Sequence, residues 1–294
     1  MTIAESQEAT MTTGYGARLA RLVAARGPLC AGIDPHPALL TQWGLPVNAR
    51  GLERCARTMV DTLGDLVPVF KPQSAFFEMH GSQGIAVLER VLADLREAGA
   101  LSLLDVKRGD IGSTMDAYAA AYLADGAPLA ADAITVSPYL GFGSLAGTIA
   151  LAEEEDRGVY VLALTSNPEG FEVQHAVREG RSVAASVVAG AATDNAGAAA
   201  RGELGSVGLV IGATVGDAVH DLGIDLVAAD TPILAPGFGA QGGTVEALRR
   251  TFAGALPQVL ASSSREVLGA GPDVAALRAA ATTTATRLQD ALHS

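Results

Sequence analysis

The chain has 294 residues, of which 49% are hydrophobic and 18% charged, and its formal net charge is −12. This composition excludes global disorder, and the acidic balance argues against a nucleic-acid binder, which needs a basic face for phosphates. Residues 1–15 contain Glu5 and Glu8 but no basic residue or apolar core, so a flexible tail is expected rather than a secretory signal. The two cysteines, Cys30 and Cys55, are expected to be reduced thiols of a cytoplasmic protein.

Eight short apolar runs lie along the chain, and each lacks strict alternation. Such runs are typical of strands covered on both faces of a parallel sheet. Segments with apolar residues at helical spacing separate them, and Ser113 and Ser182 are expected to be helix N-caps. The predicted strands are Pro28–Ile33, Leu66–Lys71, Leu101–Lys107, Ala133–Val136, Val159–Thr165, Val207–Gly212, Pro232–Ala235 and Gln258–Ser262. The predicted helices are Gly51–Gly64, Ser82–Ala98, Ser113–Asp125, Ser182–Ala200 and Asp273–Leu292.

This order of strands and helices predicts an α/β protein and favours a closed (β/α)8 TIM barrel, with a single domain over residues 1–294. An open sheet of six or seven strands is the alternative. The segment Glu169–Arg181 is expected to be a polar connection rather than a domain boundary. The uncharged stretch Ala133–Ala152 contains Pro138 and several glycines, so a strand, a loop and a helix start are favoured over a membrane span.

Charged side chains end the second and third predicted strands, where a barrel gathers its reactive groups. Asp105 and Lys107 are two residues apart and should share one face of their strand. With Lys71 on the neighbouring strand and Asp110 in the following turn, they predict an alternating Lys–Asp–Lys–Asp row that needs no metal. A structural salt-bridge network is one interpretation. Because buried charge is costly, a catalytic site with a lysine as general acid is the other.

Glycine-rich and serine-rich turns follow the last two predicted strands, at the usual phosphate site of such barrels. The segment 235–243 reads APGFGAQGG and precedes a helix expected to begin near Thr244, and Ser262–Arg265 follows the eighth strand. Backbone amides can surround an anion there, and Arg265 can add a charge-assisted contact. The pattern indicates a small phosphorylated substrate.

The motif DVKRGDIGST, residues 105–114, resembles the signature of the orotidine 5′-phosphate decarboxylase family. Other motifs of the family occur in the right order along nearly the whole chain, and residues 70–78 and 105–114 have the form typical of its longer bacterial (type 2) branch. The other motifs are residues 32–35, 70–78, 165–168, 235–243 and 263–265. The resemblance implies a cytoplasmic homodimer of (β/α)8 barrels that converts orotidine 5′-monophosphate to uridine 5′-monophosphate and carbon dioxide. This is the last step of de novo pyrimidine synthesis, and the resemblance implies no metal or organic cofactor.

The resemblance also implies roles for the charged row. Lys107 would donate a proton to the pyrimidine carbon that loses its carboxylate. Asp105 would either stress that carboxylate or orient the lysines, and Lys71 would complete the row. Asp110 would enter the partner subunit's site and bind ribose there, accompanied by Ile111 and Thr114.

The remaining expected contacts hold the substrate. Asp34 would bind a ribose hydroxyl, and Gln241 and Arg265 would hold the phosphate. The segment 237–243 is expected to move and close over the substrate. Ser166 is favoured as the contact to the pyrimidine edge, while Ser137 stays open as the alternative.

Two rival functions are compatible with parts of this pattern. One is a magnesium-dependent decarboxylase or aldolase of the same superfamily that acts on a sugar phosphate. Such enzymes want a carboxylate at the end of the second strand, where this chain has Lys71, whose charge would repel a metal ion. The other is a non-catalytic phosphate-binding barrel, against which the intact charged row argues.

Overall fold

Eight parallel strands close into a barrel in the computed structural model, which describes residues 14–239 and 242–293. The barrel order is β1–β2–β3–β4–β5–β8–β9–β10, and β10 pairs with β1. The (β/α)8 prediction is therefore confirmed, and every predicted strand overlaps an observed one. The barrel strands are β1 Leu29–Ile33, β2 Val69–Pro72, β3 Leu101–Arg108, β4 Ala133–Val136, β5 Gly158–Leu164, β8 Val207–Ile211, β9 Ile233–Pro236 and β10 Val259–Ser263. A separate antiparallel pair, β6 Val177–Arg178 and β7 Arg181–Ser182, lies in the predicted polar connection.

Helices connect the strands and form the outer layer. They are α1 Tyr15–Arg26, α2 Pro37–Gln42, α3 Ala49–Leu63, α4 Ser74–Glu78, α5 Gly81–Glu97, α6 Gly112–Leu123, α7 Ala146–Glu154, α8 Gly170–Gln174, α9 Val183–Asp194, α10 Ala196–Ala199, α11 Ala218–Asp221, α12 Leu226–Ala229, α13 Val245–Phe252, α14 Arg265–Leu268 and α15 Val274–His293. Two 3₁₀ helices are Phe142–Leu145 and Ala253–Gln258.

The predicted helix starts fare differently. Ser182 caps α9, because its hydroxyl accepts a hydrogen bond from the Ala185 amide at 3.1 Å. Thr244 caps α13 in the same way, through the Ala247 amide. The prediction for Ser113 is wrong: α6 begins one residue earlier at Gly112, whose φ of +53° makes the turn.

The predicted helix Ser182–Ala200 divides into α9 and α10 at Asn195. Asn195 is buried there, and its side-chain amide forms two hydrogen bonds with the backbone of Val207. Its Nδ2 donates to the Val207 carbonyl at 2.7 Å and its Oδ1 accepts from the Val207 amide at 3.1 Å. This tie joins the end of α9 to the start of β8.

The lower half of the barrel interior is apolar and is closed by α1. Tyr15 is fully buried beneath the strands, and its hydroxyl lies 3.1 Å from that of Tyr160 on β5. A Cβ at Gly158 would lie 2.6 Å from the Tyr15 ring, so glycine is required for this contact. The expected tail is therefore wrong at Tyr15, whereas residues 1–13 lie outside the described residues.

Two residues further along the strands, the barrel interior is lined by polar instead of apolar side chains. Residues two apart in a strand point to the same side, so both sets face the interior. Above the apolar residues Val69, Leu103 and Ala133, the same faces of β2, β3 and β4 carry Lys71, Asp105 and Thr135, which are all buried. These three polar residues lie at the carboxyl ends of the strands, which is the functional end of such barrels.

The uncharged stretch Ala133–Ala152 forms a strand, a loop and a helix start, as predicted. Within residues 14–239 and 242–293, no helix combines the length and apolar content needed to cross a membrane. Cys30 and Cys55 are both buried and unpaired, which agrees with the expectation of free thiols.

Candidate active site

The carboxylate of Asp105 is the centre of the site and accepts four hydrogen bonds. Lys107 Nζ (2.5 Å) and Thr135 Oγ1 (2.8 Å) donate to its Oδ1. Lys71 Nζ (3.2 Å) and Gln73 Nε2 (2.8 Å) donate to its Oδ2. Each oxygen thus receives one ammonium group and one neutral donor, so all the lone-pair positions of the carboxylate are used.

This pairing determines the ionisation of the buried groups. Burial alone would raise the pKa of Asp105, but the charges of Lys71 and Lys107 outweigh burial and hold that pKa well below its ordinary value. Burial would likewise lower the pKa of Lys71, but Asp34 and Asp105 raise it above its ordinary value. Both groups therefore stay charged at neutral pH.

Lys107 presents its ammonium group to the barrel mouth from an unusual backbone position. Its φ of +46° lies in the left-handed region, where residues other than glycine are strained. Leu104 pairs with Ile134 and Arg108 pairs with Val136. The chain therefore advances four residues along β3 but only two along β4, which is a β-bulge in β3. This bulge includes Lys107, and the Lys107 side chain is 47% exposed, against 7% for Lys71.

The charged row differs from the predicted one in one member. Asp34, at the end of β1, has its Oδ1 3.9 Å from Lys71 Nζ, so the row runs Asp34–Lys71–Asp105–Lys107. Among the described residues Asp110 pairs with neither lysine, and its carboxylate accepts from the Ile111 amide at 2.8 Å. The prediction that Asp110 completes the row within one chain is wrong, because Asp34 rather than Asp110 is the second carboxylate beside Lys71.

Two adjoining cavities open over this row. One, of about 220 Å³, is lined by Asp34, Lys71 and Arg265 together with Phe238 and Ser264. The other, of about 440 Å³, is lined by residues that include Asp34, Asp105 and Lys107. Residues of the row therefore line both cavities, and Asp34 is common to the two. Arg265 lines only the first cavity.

Arg265 is a free cation at this mouth. It is exposed at the start of α14, and none of the described residues forms an ion pair or a hydrogen bond with its guanidinium. The preceding glycine turn is closed by a hydrogen bond of 3.0 Å from the Gly243 amide to the Gly237 carbonyl. Gln241, the other expected phosphate contact, lies outside the described residues.

The other predicted residues lie on loops around the mouth. Ser137 and Ser166 follow β4 and β5, and Ser166 is the more exposed; neither lines the two cavities, so the choice between them stays open. Ile111 and Thr114 are exposed at the start of α6. They stand beside Asp110 on the rim of the barrel.

Two neutral residues of the site, Gln73 and Thr135, were not predicted from the sequence. Both complete the shell of Asp105, but a neutral side chain in an apolar strand gives no charge signal. A different signal in the sequence does mark the site: Lys71 and Lys107 are the only lysines among the 20 basic residues.

The chain resembles known proteins over almost its full length. Residues 27–280 match the orotidine 5′-phosphate decarboxylase / HUMPS family. A protein named orotidine 5′-phosphate decarboxylase from Salinispora arenicola is 60% identical over 91% of this chain and 94% of its own. A protein of the same name from Streptomyces coelicolor is 55% identical over 95% of this chain and 98% of its own.

Solved structures agree with these sequence relatives. A crystal structure from Streptomyces avermitilis superposes with a TM-score of 0.91 at 54% identity and covers 96% of both chains. The structure of OMP decarboxylase from Leishmania donovani superposes with a TM-score of 0.71 at 30% identity. It covers 96% of this chain and 100% of its own.

Replacing Asp105 with asparagine tests the energetic role of the shared carboxylate. Asp105→Asn should lower the free energy of unfolding by about 3–5 kcal/mol at pH 7, because it leaves Lys71 buried with a weakened counter-charge. Urea denaturation measures this loss. The matched control, Asp65→Asn, removes a 69%-exposed partner of Arg278 and should change stability little.

The same comparison has a pH dependence whose sign is determined by the lowered pKa of Asp105. A carboxylate with a lowered folded-state pKa stabilises the fold above its unfolded pKa of about 3.9, and this contribution is lost as pH falls toward the folded value. The stability gap between wild type and Asp105→Asn should be constant from about pH 7 to 5 and narrow below about pH 4. Equal losses for Asp105→Asn and Asp65→Asn would contradict the role assigned to Asp105.

Proposed function

The chain belongs to the orotidine 5′-phosphate decarboxylase / HUMPS family, and on this premise we propose that it converts orotidine 5′-monophosphate to uridine 5′-monophosphate and carbon dioxide. The observation that carries the proposal is the row Asp34–Lys71–Asp105–Lys107 beneath two cavities. Beside it lies Arg265, which has no ion-pair partner among residues 14–239 and 242–293. Lys107 at one end of the row and Arg265 in the cavity beside it suit a substrate that bears a carboxylate and a phosphate. The proposed pathway is pyrimidine nucleotide synthesis in the cytoplasm.

The proposed chemistry needs one proton donor and a fixed electrostatic environment. The bond between the pyrimidine ring and its carboxylate breaks, carbon dioxide leaves, and the electron pair stays on the ring carbon. The ammonium group of Lys107 then transfers a proton to that carbon, and solvent restores the proton to lysine. Of its three N–H groups, one is bound by Asp105, so the others are available at the half-exposed mouth.

The row is rigid, and this favours stabilisation of the developing carbanion. Lys71 and Lys107 are held by the same carboxylate and require no reorganisation when negative charge appears on the ring. Asp105 keeps its own negative charge because of its lowered pKa. It can therefore both orient the lysines and oppose the substrate carboxylate.

The substrate's phosphate is assigned to the cavity lined by Arg265. A guanidinium is suited to a phosphate because it offers planar, bidentate hydrogen bonds. Gln241 is proposed as the second phosphate contact and Asp34 as the ribose contact. Phosphate binding far from the reacting carbon can supply energy for closing the segment 237–243 over the substrate and excluding water.

The charge pattern disfavours the magnesium-dependent sugar-phosphate rival. Lys71 Nζ lies between the carboxylates of Asp34 and Asp105, at 3.9 and 3.2 Å. A divalent cation bound by these carboxylates would have to displace the buried ammonium group. The relatives at 55–60% identity also carry the decarboxylase name.

A second copy of the chain is proposed to complete the site. Asp110 has no ion-pair partner among the described residues, and exposed apolar side chains lie on its own loop and on the neighbouring one. Ile111 is 61% exposed, Tyr139 76% and Leu140 50%, on the neighbouring loops after β3 and β4. Apolar side chains grouped on one rim are typical of a protein interface. The proposed homodimer would place Asp110, Ile111 and Thr114 against the partner's ribose site.

The activity itself is tested by following the loss of orotidine 5′-monophosphate absorbance with purified protein and no added metal. Turnover is expected, and a chelator should leave its rate unchanged, because the proposed chemistry uses only protein side chains. A rate that falls with chelator and returns with magnesium would contradict the cofactor-free mechanism. Absence of turnover would overturn the proposed function, and magnesium-dependent conversion of a sugar phosphate would then favour the rival.

Removing the proton donor separates chemistry from binding. Lys107→Ala should lower kcat by about 10³-fold or more, because a positioned general acid is lost. Binding of uridine 5′-monophosphate, measured by calorimetry, should stay within about threefold of wild type, since that product needs no proton transfer. The control Arg201→Ala removes a 63%-exposed cation that pairs with Glu203 at the opposite end of the barrel, and it should be fully active. Near-normal turnover by Lys107→Ala would refute its assignment.

Mixing two inactive variants tests the shared site. In a hybrid of Lys107→Ala with Asp110→Ala, one of the two sites has both an intact Lys107 and an intact partner Asp110. An equimolar mixture should recover about a quarter of wild-type activity, because random exchange makes half of the dimers hybrid and each hybrid has one working site. Each variant mixed with itself is the control. No recovery, with subunit exchange demonstrated by native mass spectrometry, would contradict the action of Asp110 across the interface.

A further inference from the structure

We propose that Thr135 is the positioning residue for Lys107: its hydroxyl holds the backbone of the proton donor and the carboxylate that orients its ammonium group. Thr135 lies on β4, faces the barrel interior and is 1% exposed. The inference rests on the proposed role of Lys107 as proton donor. It concerns a residue that need not touch the substrate.

The directions of the two hydrogen bonds of Thr135 are determined by chemistry. The Lys107 amide can only donate, so Thr135 Oγ1 accepts that bond, at 2.9 Å. The Asp105 carboxylate is ionised and can only accept, so the Thr135 hydroxyl proton is directed to Asp105 Oδ1, at 2.8 Å. The single proton of the hydroxyl is thereby committed, and its orientation is unambiguous.

Together with the bond between Asp105 and Lys107, these two bonds form a closed hydrogen-bonded loop that begins at the Lys107 backbone and ends at the Lys107 ammonium group. The Lys107 amide binds Thr135, Thr135 binds Asp105 Oδ1, and the same Oδ1 binds Lys107 Nζ at 2.5 Å. Thr135 therefore acts on both ends of Lys107, directly on the backbone and through one carboxylate oxygen on the ammonium group. Gln73 donates to the other oxygen of Asp105 and has no bond to Lys107 among the described residues.

The backbone of Lys107 needs such a restraint. At φ +46° it is held in a conformation that is strained for a residue with a Cβ, so it persists only where its surroundings determine it. The bulge in β3 takes the Lys107 amide out of the regular pairing with β4. Thr135 replaces the lost ladder bond with a side-chain acceptor from the neighbouring strand.

A purely structural role for a buried threonine is distinguished from positioning by matched variants. Thr135→Val keeps the shape of the side chain but has no hydroxyl, whereas Thr135→Ser keeps the hydroxyl and loses a methyl group. Thr231→Val makes the same change at a fully buried threonine before β9, whose hydroxyl has no hydrogen-bond partner in the described part of the chain.

The kinetic experiment measures kcat and KM for orotidine 5′-monophosphate in these variants. Thr135→Val should lower kcat about 100-fold, because a displacement of about 1 Å in a catalytic group has effects of this size. KM should change less than about threefold, since the substrate-binding groups are untouched. Thr135→Ser should recover most of kcat, and Thr231→Val should equal wild type. Equal losses in Thr135→Val and Thr135→Ser would assign the effect to packing and overturn the proposal.

A second experiment reads the backbone bond without any substrate. Because the chain has only two lysines, protein grown with nitrogen-15 lysine gives two backbone amide signals, from Lys71 and Lys107. In Thr135→Val the Lys107 amide should shift and exchange with solvent at least about tenfold faster, because its acceptor is gone. The Lys71 signal within β2 serves as the internal reference and should keep its exchange rate.

The two experiments separate failure of this inference from failure of the proposed function. If wild type does not decarboxylate the substrate, the proposed function is wrong, but the amide signals still decide whether Thr135 holds Lys107. If wild type is active and Thr135→Val retains both kcat and the Lys107 amide protection, the positioning role is wrong. Should Thr135→Val not fold, as judged by circular dichroism, Thr135→Ala undergoes the same two measurements and is expected to give the same losses.

Discussion

The site depends on one buried carboxylate that two ammonium groups share. Removing Asp105 and Lys71 from water carries a desolvation cost that is offset only when the geometry is good and every polar atom is satisfied. Here Asp105 accepts four hydrogen bonds, two of them from neutral side chains. The result is a set of fixed charges whose positions do not depend on the substrate, and this preorganisation is what electrostatic catalysis requires.

The barrel makes this arrangement possible by dividing each strand into two halves. The lower interior is filled with apolar side chains and closed by Tyr15 from α1, whose hydroxyl pairs with that of Tyr160, so it supplies cohesion. The next layer, two residues further along, contains Lys71, Asp105 and Thr135. A strained residue such as Lys107 can persist at the rim because the packed strands below determine the positions of its neighbours.

Sequence reasoning predicted the strands and the charged ends of β2 and β3, because apolar runs and charges placed after them are local signals. It did not predict the bulge in β3, because the spacing of Asp105 and Lys107 in the sequence is the same with or without a bulge. The bulge is visible only in the pairing of β3 with β4. Sequence reasoning also did not predict that Asp34, at the end of β1, takes the place of Asp110 in the row, because this contact joins strands that are far apart in the sequence. Thr135 was missed because its importance lies in two contacts with β3, which a propensity for strand does not reveal.

The distribution of basic residues supports a division of labour between lysine and arginine. Lys71 and Lys107 are the only lysines, and the other eighteen basic residues are arginine. An arginine stays protonated under all ordinary conditions, so it suits salt bridges and the proposed phosphate contact at Arg265 but cannot easily release a proton. A lysine can release one, and its compact charge fits beside a carboxylate that is shared with a second ammonium group. Both lysines of the chain lie in the row around Asp105, where Lys107 is the proposed proton donor and Lys71 supplies a compact buried charge.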